Sequence, residues 1–204
     1  MDSRFPYGTL INENPVRGCG NDICRSPMSI FKAYDIRGKY PKELDETKAR
    51  AIGWAMAQFI RNLKRPASRV CKIVVGRDVR LSSPTLSKNL IQGLLEGGAR
   101  VTDIGAVTTP MSYFACGFYH FDGSVMVTAS HNPPEYNGFK ICRENAIALS
   151  ETTGLKDIEK LAGQKPTTAR LPASRRNKHS REIKKQDVKP NYKKFIRQCY
   201  WYNF

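Results

Sequence analysis

A serine and a histidine, Ser130 and His131, stand side by side just after an apolar segment of the chain. That segment, Ser124 to Thr128, has the short length and β-branched content of a buried strand. Pro133-Pro134 and Asn137-Gly138 follow and predict a loop, because proline lacks an N–H group and Asn-Gly tolerates positive φ. We therefore expect Ser130 and His131 just past the carboxyl end of a strand, where open α/β sheets bind ligands.

Three interpretations of this serine fit the residues. A hydrolase nucleophile needs a base bonded to its hydroxyl, but adjacent side chains near a strand end tend to diverge, and the Gly-x-Ser-x-Gly elbow is missing. A serine that carries a phosphoryl group among cations, with or without a metal ion, is the second interpretation. The third is an ordinary polar loop, since short motifs often occur by chance.

Three segments follow one another along the chain: Phe31 to Gly38, Val75 to Pro84, and the long segment Thr128 to Lys140. In this order they resemble motifs of the α-D-phosphohexomutases, the phosphomannomutase/phosphoglucomutase family. The long segment is similar to the phosphoserine loop of that family, and the other two are similar to motifs of its first domain. The resemblance extends from about Ile30 to Gly163 and is specific to the family, without indicating one substrate within it.

The resemblance implies an isomerase of carbohydrate metabolism, an intramolecular phosphotransferase that moves a phosphoryl group between two positions of a hexose phosphate. Ser130 would be the phosphoryl carrier, and a hexose bisphosphate would be the intermediate. Arg37 and His131 would position and stabilise the phosphoryl group, and Lys140 would act as an acid/base or a stabilising charge. The sequence favours a structural ion pair between Arg77 and Asp78, rather than a catalytic role for either.

The resemblance also implies Mg²⁺ as cofactor, held in part by phosphorylated Ser130. The family has further domains that supply an aspartate-rich magnesium loop, a sugar-recognition loop and a phosphate-binding loop. No Asp-Gly-Asp cluster occurs in these 204 residues, and Ser130 alone cannot satisfy an ion that prefers several oxygen ligands. We therefore expect a truncated mutase, inactive alone, with a complementary chain as one source of the missing groups.

Composition indicates one domain and excludes several classes of protein. A chain of 204 residues is long enough for one domain with a real core. No apolar run approaches the length of a bilayer span, and no signal peptide is apparent, so we expect a soluble, cytoplasmic protein. The six cysteines are scattered without metal-ligand spacing, and we interpret them as reduced thiols.

Alternating strand and helix patterns predict a layered α/β domain, with helices on both faces of a mixed, mostly parallel sheet. The pattern predicts strands at Ile30–Ile36, Val70–Val75, Arg100–Ile104, Ser124–Thr128 and Phe139–Arg143. It predicts helices from Asp45 as N-cap to Leu63, from Ser83 as N-cap with Pro84 at N1 to Gly97-Gly98, at Pro110–Tyr119 and near Thr153–Leu161. Where the first strand ends, Gly38 would permit a sharp turn that directs Arg37 into a cleft.

The chain divides into an irregular extension (residues 1–28), a phosphohexomutase-like domain I (residues 29–163) and a basic tail (residues 164–204). The net charge is +16, and the tail holds 12 Lys/Arg against two acids, a net charge of +10. Dense charge with few apolar anchors predicts a mobile extension. We expect it to bind polyanions weakly and no specific nucleic acid or membrane, because base readout requires a rigid scaffold. The alternative function is a non-catalytic fragment that pairs with a complementary chain or binds polyanions through this basic tail.

Overall fold

The computed structural model describes residues 30–63, 70–164 and 183–201. The strands are β1 (Ile36–Lys39), β2 (Lys72–Arg77), β3 (Arg100–Ala106), β4 (Gly123–Val127), β5 (Tyr136–Arg143) and β6 (Ile183–Lys185). The helices are α1 (Glu46–Leu63), α2 (Ser83–Glu96), α3 (Thr109–Phe118), α4 (Lys156–Gly163) and α5 (Lys189–Trp201). The predicted irregular extension, residues 1–28, lies outside the described residues.

The strands form one mixed sheet in the order β1-β5-β4-β2-β3-β6. Strands β4, β2, β3 and β6 are parallel, and β5 lies antiparallel between β4 and β1. The main core, with residues of α1, α2 and α4, covers one face, and a smaller core built around α3 covers the other. The predicted three-layer α/β fold is therefore confirmed. None of the described helices combines the length and apolar character that a membrane span requires.

Two helix starts show how local sequence sets these elements. Asp45 caps α1 as predicted, since its Oδ1 accepts a hydrogen bond from the Lys48 N–H at 2.8 Å. The predicted N-cap of α2 is wrong by one residue: Ser82 is the N-cap, so Ser83 and Pro84 lie in the first turn. The Ser83 hydroxyl donates a hydrogen bond to the Asp78 carboxylate instead, at 2.5 Å, and so connects the start of α2 to Asp78.

The prediction of a strand over Ile30–Ile36 is wrong. The chain makes a tight turn there, with Lys32 N–H bonded to Asp35 O at 2.8 Å and Arg37 N–H to Ile30 O at 2.7 Å. Strand β1 begins only at Ile36, so Arg37 and Gly38 lie within it rather than in a turn after it.

The Asn137-Gly138 pair was also predicted to be in a loop, and it lies inside β5. Asn137 is 0% exposed, and its amide Nδ2 donates to the hydroxyls of Ser82 and Ser83 at 2.8 and 3.0 Å. Gly138 permits β1 to approach, because a Cβ there would lie 2.0 Å from the Ile36 carbonyl oxygen. Close packing between strands overrides the turn preference of the dipeptide.

The predicted division of the chain at Gly163 is wrong for the part of the tail that the structure describes. Strand β6 pairs with β3 over Val101–Asp103, and α5 packs on α3. Val188 between them is 0% exposed in the smaller core. The aromatic rings of Tyr192 and Phe195 lie 5.3 and 5.1 Å from that of Phe114. Residues 183–201 are thus part of the domain rather than an extension outside it.

We predict that Gly138→Ala destabilises the fold by about 2 kcal/mol or more, because the new methyl group forces β1 away from β5. Gly117→Ala in α3 is the matched control, since nothing lies within 4 Å of the added Cβ. Alanine favours a helix, so the control is expected to be neutral or up to about 1 kcal/mol more stable. Urea denaturation measures both; equal stability of the two variants would contradict the close approach.

Candidate active site

Ser130 lies at the carboxyl end of β4, at the start of a loop that we call the serine loop (residues 128–135). Its backbone φ is +56°, a left-handed conformation that costs energy in a residue with a side chain. The Ser130 N–H donates to the Thr128 hydroxyl at 2.9 Å, which stabilises this turn. Ser130 is exposed, and it lies just past the carboxyl end of the strand, as the sequence predicted.

Arg80 determines the shape of the serine loop. Its guanidinium donates four hydrogen bonds to backbone carbonyls, two through each terminal nitrogen. The acceptors are the carbonyl oxygens of Ser130 (2.9 Å), Asn132 (2.7 Å), Pro133 (2.8 Å) and Tyr136 (3.1 Å). A guanidinium has five N–H donors in a planar fork, so it can satisfy several converging carbonyls at once.

Asp78 positions Arg80 in turn. The Asp78 carboxylate lies 3.2 Å from the Arg80 Nε and accepts the Arg80 backbone N–H at 3.0 Å. The Asp78 N–H bonds to Val127 O at 3.0 Å, which fixes this segment against the end of β4. The predicted ion pair between Arg77 and Asp78 is therefore wrong. Asp78 pairs with Arg80, because residues two apart lie on the same side of an extended segment.

A buried carboxylate, Asp35, joins two of the predicted cationic residues. Asp35 is 6% exposed, and its Oδ2 lies 2.5 Å from Arg37 Nη2 and 3.3 Å from Lys140 Nζ. The Arg37 Nε is buried with no hydrogen-bond partner among the described residues. Burial raises the pKa of the nearby Tyr113 phenol, and the Cys142 and Asp35 groups raise it further, so Tyr113 stays protonated.

His131 remains close to the serine. Its Nδ1 lies 3.4 Å from Ser130 Oγ, a long distance for a hydrogen bond. The expected divergence of these adjacent side chains does not occur, because the left-handed backbone at Ser130 turns both toward the same side. The histidine is exposed, like the serine, and can approach a group attached to Ser130 Oγ.

One cleft of about 940 Å³ contains three of the four predicted site residues, Ser130, His131 and Lys140. Arg37 is not among the residues that line it and connects to Lys140 through Asp35. Lys189, the first residue of α5, lines the cleft as well. The sequence predicted no site role for Arg80, Asp35 or Lys189. Arg80 and Asp35 lie in the segments Val75 to Pro84 and Phe31 to Gly38 that resemble family motifs, whereas nothing in the sequence indicated Lys189.

A magnesium site is not complete in the described part of the chain. No group of three His, Cys, Asp or Glu side chains there is arranged to hold a metal ion. Asp78, the carboxylate that lines the cleft, is already bonded to Arg80 and Ser83. The described residues alone therefore do not fit Mg²⁺, which requires several oxygen ligands.

The fold and the site together define a three-layer α/β domain that presents a strand-end serine among cationic side chains. A family model described as phosphoglucomutase/phosphomannomutase, alpha/beta/alpha domain I, matches residues 28–168. This chain belongs to the phosphoglucomutase/phosphomannomutase family, and the matched residues are its domain I.

Individual relatives agree with the family model. A phosphomannomutase of Klebsiella pneumoniae is 46% identical over 148 residues, which are 72% of this chain and 89% of that protein. One of Escherichia coli is 46% identical over 148 residues but is covered over only 31% of its length. A crystal structure of a phosphoglucomutase/phosphomannomutase family protein from Burkholderia thailandensis matches 81% of this chain and 34% of its own, with 34% identity and a TM-score of 0.63. The chain thus spans most of the first relative and about a third of the other two.

We predict that Arg80→Ala releases the serine loop while the rest of the sheet stays folded. Hydrogen exchange at the Asn132 and Tyr136 amides, which bond to Ala129 O and Pro133 O, should become at least about tenfold faster. Arg80→Lys should be intermediate, because an ammonium has only three donors and cannot reach all four carbonyls. Stability should fall by about 2–4 kcal/mol in the alanine variant.

The matched control is Arg50→Ala, which removes an exposed ion pair with Glu96 on the far side of the molecule. It should cost at most about 1 kcal/mol and leave the loop amides unchanged. Unchanged exchange of the loop amides in Arg80→Ala would show that Arg80 does not hold the loop.

Proposed function

We propose that this chain is the phosphoryl-carrying domain of a hexose-phosphate mutase, with Ser130 as the carrier. The observation that supports this best is the exposed Ser130 hydroxyl, on a loop held by Arg80, in a cleft that Lys140 and His131 also line. Phosphoryl transfer is catalysed mainly by positioning and by charge stabilisation, and these residues can supply both. The names of the relatives favour mannose phosphates as the substrate class.

The reaction consists of two transfers through Ser130. In the first, the bond between phosphorus and Ser130 Oγ breaks, and a hydroxyl oxygen of the hexose monophosphate forms a new bond to that phosphorus. The hydroxyl proton passes to a base, and an acid transfers one proton to Ser130 Oγ. The resulting bisphosphate reorients and returns its other phosphoryl group to Ser130 by the same step in reverse. The carrier is thus regenerated with no net consumption of phosphate.

The net charge beside the cleft is positive, and this favours transfer of a negatively charged phosphoryl group. Arg37 and Lys140 share a single carboxylate, Asp35, which leaves one positive charge in excess beside the cleft. We propose that the Lys140 ammonium donates the proton that the departing Ser130 Oγ takes up, and that His131 positions the phosphoryl group. Arg37 acts from behind Asp35 and raises the local positive potential. Preorganised cations of this kind stabilise the charge that spreads over the equatorial oxygens during transfer.

The remaining groups are proposed to come from outside the described residues. Phosphorylated Ser130 would supply one oxygen ligand to Mg²⁺, and the ion would supply charge neutralisation at the phosphoryl group. The family's further domains, which carry its aspartate-rich and sugar-binding loops, are the proposed source of the others. We propose that those domains can act in trans: turnover that appears when the purified remainder of a relative is added to this chain would support this.

The alternative function, a non-catalytic fragment that binds polyanions through a free basic tail, has less support. Residues 183–201 pair with β3 and pack on α3, so this part of the tail is attached to the domain. Its charges are therefore fixed in position rather than free to follow a polyanion.

We predict that Ser130 accepts one phosphoryl group from a hexose bisphosphate in the presence of Mg²⁺. Intact-mass analysis should show one adduct on the wild-type chain and none on Ser130→Ala. Ser150→Ala, which removes a serine that is not among the residues lining the cleft, is the matched control and should keep the adduct. An adduct that persists in Ser130→Ala would refute the assignment of the carrier.

We further predict that these 204 residues, purified alone, turn over hexose phosphates at less than about 1 per second, the lower end for ordinary enzymes. The physical reason is that the described residues offer no complete metal site and no second phosphate clamp to hold the bisphosphate as it reorients. A coupled assay with the Escherichia coli phosphomannomutase as positive control measures this. Turnover equal to that of the control would show that the domain is a sufficient catalyst.

A further inference from the structure

Three cationic side chains lie together on one face of the sheet, at the end opposite Ser130. Lys72 and Arg100 are the first residues of the parallel strands β2 and β3 and are direct neighbours in the ladder. Lys184 of β6 is the neighbour of Thr102 in the same way. Side chains alternate along a strand, so Lys72, Arg100, Thr102 and Lys184 all point to the face that α3 covers.

These three cations have no acidic partner among the described residues. None of them takes part in an ion pair of the described chain, and all three are exposed. Like charges directly opposite each other in a sheet are destabilising. The adjacent residue Lys185 differs, because it lies beside Asp103 and so has a carboxylate as its cross-strand neighbour. The clustered charges on the α3 face are thus uncompensated by any side chain of residues 30–63, 70–164 and 183–201.

The same residues line a cleft of about 850 Å³, which is within the usual size of small-molecule sites. Thr102 and Gln186 add hydrogen-bonding groups, and the rings of Tyr119 and Phe121 form an apolar wall. Tyr119 is held in place from α5, since its hydroxyl accepts a hydrogen bond from Asn191 Nδ2 at 2.8 Å. The cleft therefore combines three positive charges with a fixed aromatic surface.

We propose that this cleft, which we call the basal cleft, is a binding site for a diphosphate group, such as that of a nucleoside diphosphate. A diphosphate carries enough negative charge to compensate Lys72, Arg100 and Lys184, and an attached ring system can pack against Tyr119 and Phe121. The basal cleft shares no residue with the cleft that contains Ser130. The proposal is therefore independent of the proposed function of Ser130.

Isothermal titration with inorganic pyrophosphate and with ADP, at about 0.15 M salt, tests the proposal. This salt concentration screens the general attraction of a chain with net charge +16 for anions. We expect saturable binding with one site per chain. ADP binding tighter than pyrophosphate would support the contact with the aromatic wall, and equal affinity would support recognition of the diphosphate alone.

The variants are chosen so that total charge is matched. Lys72→Gln combined with Arg100→Gln should weaken binding about tenfold or more, since two charge-assisted contacts are lost. Lys88→Gln combined with Lys160→Gln removes the same charge from exposed positions on α2 and α4 and should leave affinity within about twofold. Thermal denaturation of each variant confirms that it is folded.

The proposal would be overturned by absence of saturable binding, or by equal weakening in the two double variants, which would indicate general charge attraction. Chemical-shift mapping supplies the second measurement. Shifts of the Thr102 and Gln186 amides on addition of pyrophosphate support the basal cleft. Shifts confined to the serine loop would place the anion at the other site and overturn the proposal.

Discussion

The contact between one guanidinium and four backbone carbonyls is the interaction on which the site depends. Loop carbonyls need hydrogen-bond partners, and the serine loop has no sheet partner for those of Ser130, Asn132 and Pro133, so Arg80 supplies the donors. Charge-assisted bonds of this kind are stronger than neutral ones, and together they offset the cost of the left-handed backbone at Ser130. Because Asp78 is bonded to both β4 and α2, the loop geometry is tied to the end of β4 and the start of α2.

Asp35 provides a second level of organisation, which concerns charge rather than shape. A buried carboxylate between Arg37 and Lys140 holds two cations together that would otherwise repel each other. It neutralises only one of their two positive charges, so the group of three keeps a net charge of about +1. The result is a positive potential that exists before any substrate binds, so that little reorganisation is required when an anion arrives. The turn at residues 32–35, which replaced the predicted strand, is what places Asp35 beside both cations.

The sequence predicted the helices and strands whose signals are local. It failed where contacts between residues distant in sequence determine the conformation. Helix α1 and strand β4 follow from apolar periodicity and a capping residue, and both were found close to their predicted ends. Asn137-Gly138 has the local signature of a turn, but contact with β1 and with Ser82 and Ser83 holds it in a strand. Strand β6 has three residues, two of them lysine, and so has no hydrophobic pattern to detect. Arg80 lay within a motif, yet its partners are backbone carbonyls, which any sequence contains.

Residues 183–201 pack on the domain, and this packing determines where their basic side chains lie. A free extension with a net charge of +10 would interact with polyanions in any orientation, and its effect would fall with salt. In the described part, β6 and α5 hold their share of that charge at fixed places on the domain instead. Lys184 joins the basal cleft at one end of the sheet, and Lys189 lines the cleft of Ser130 at the other. Burial of Val188 between these two lysines fixes the distance between them. The segment therefore contributes one cation to each of two separate clefts, and its lysines raise the positive potential in both.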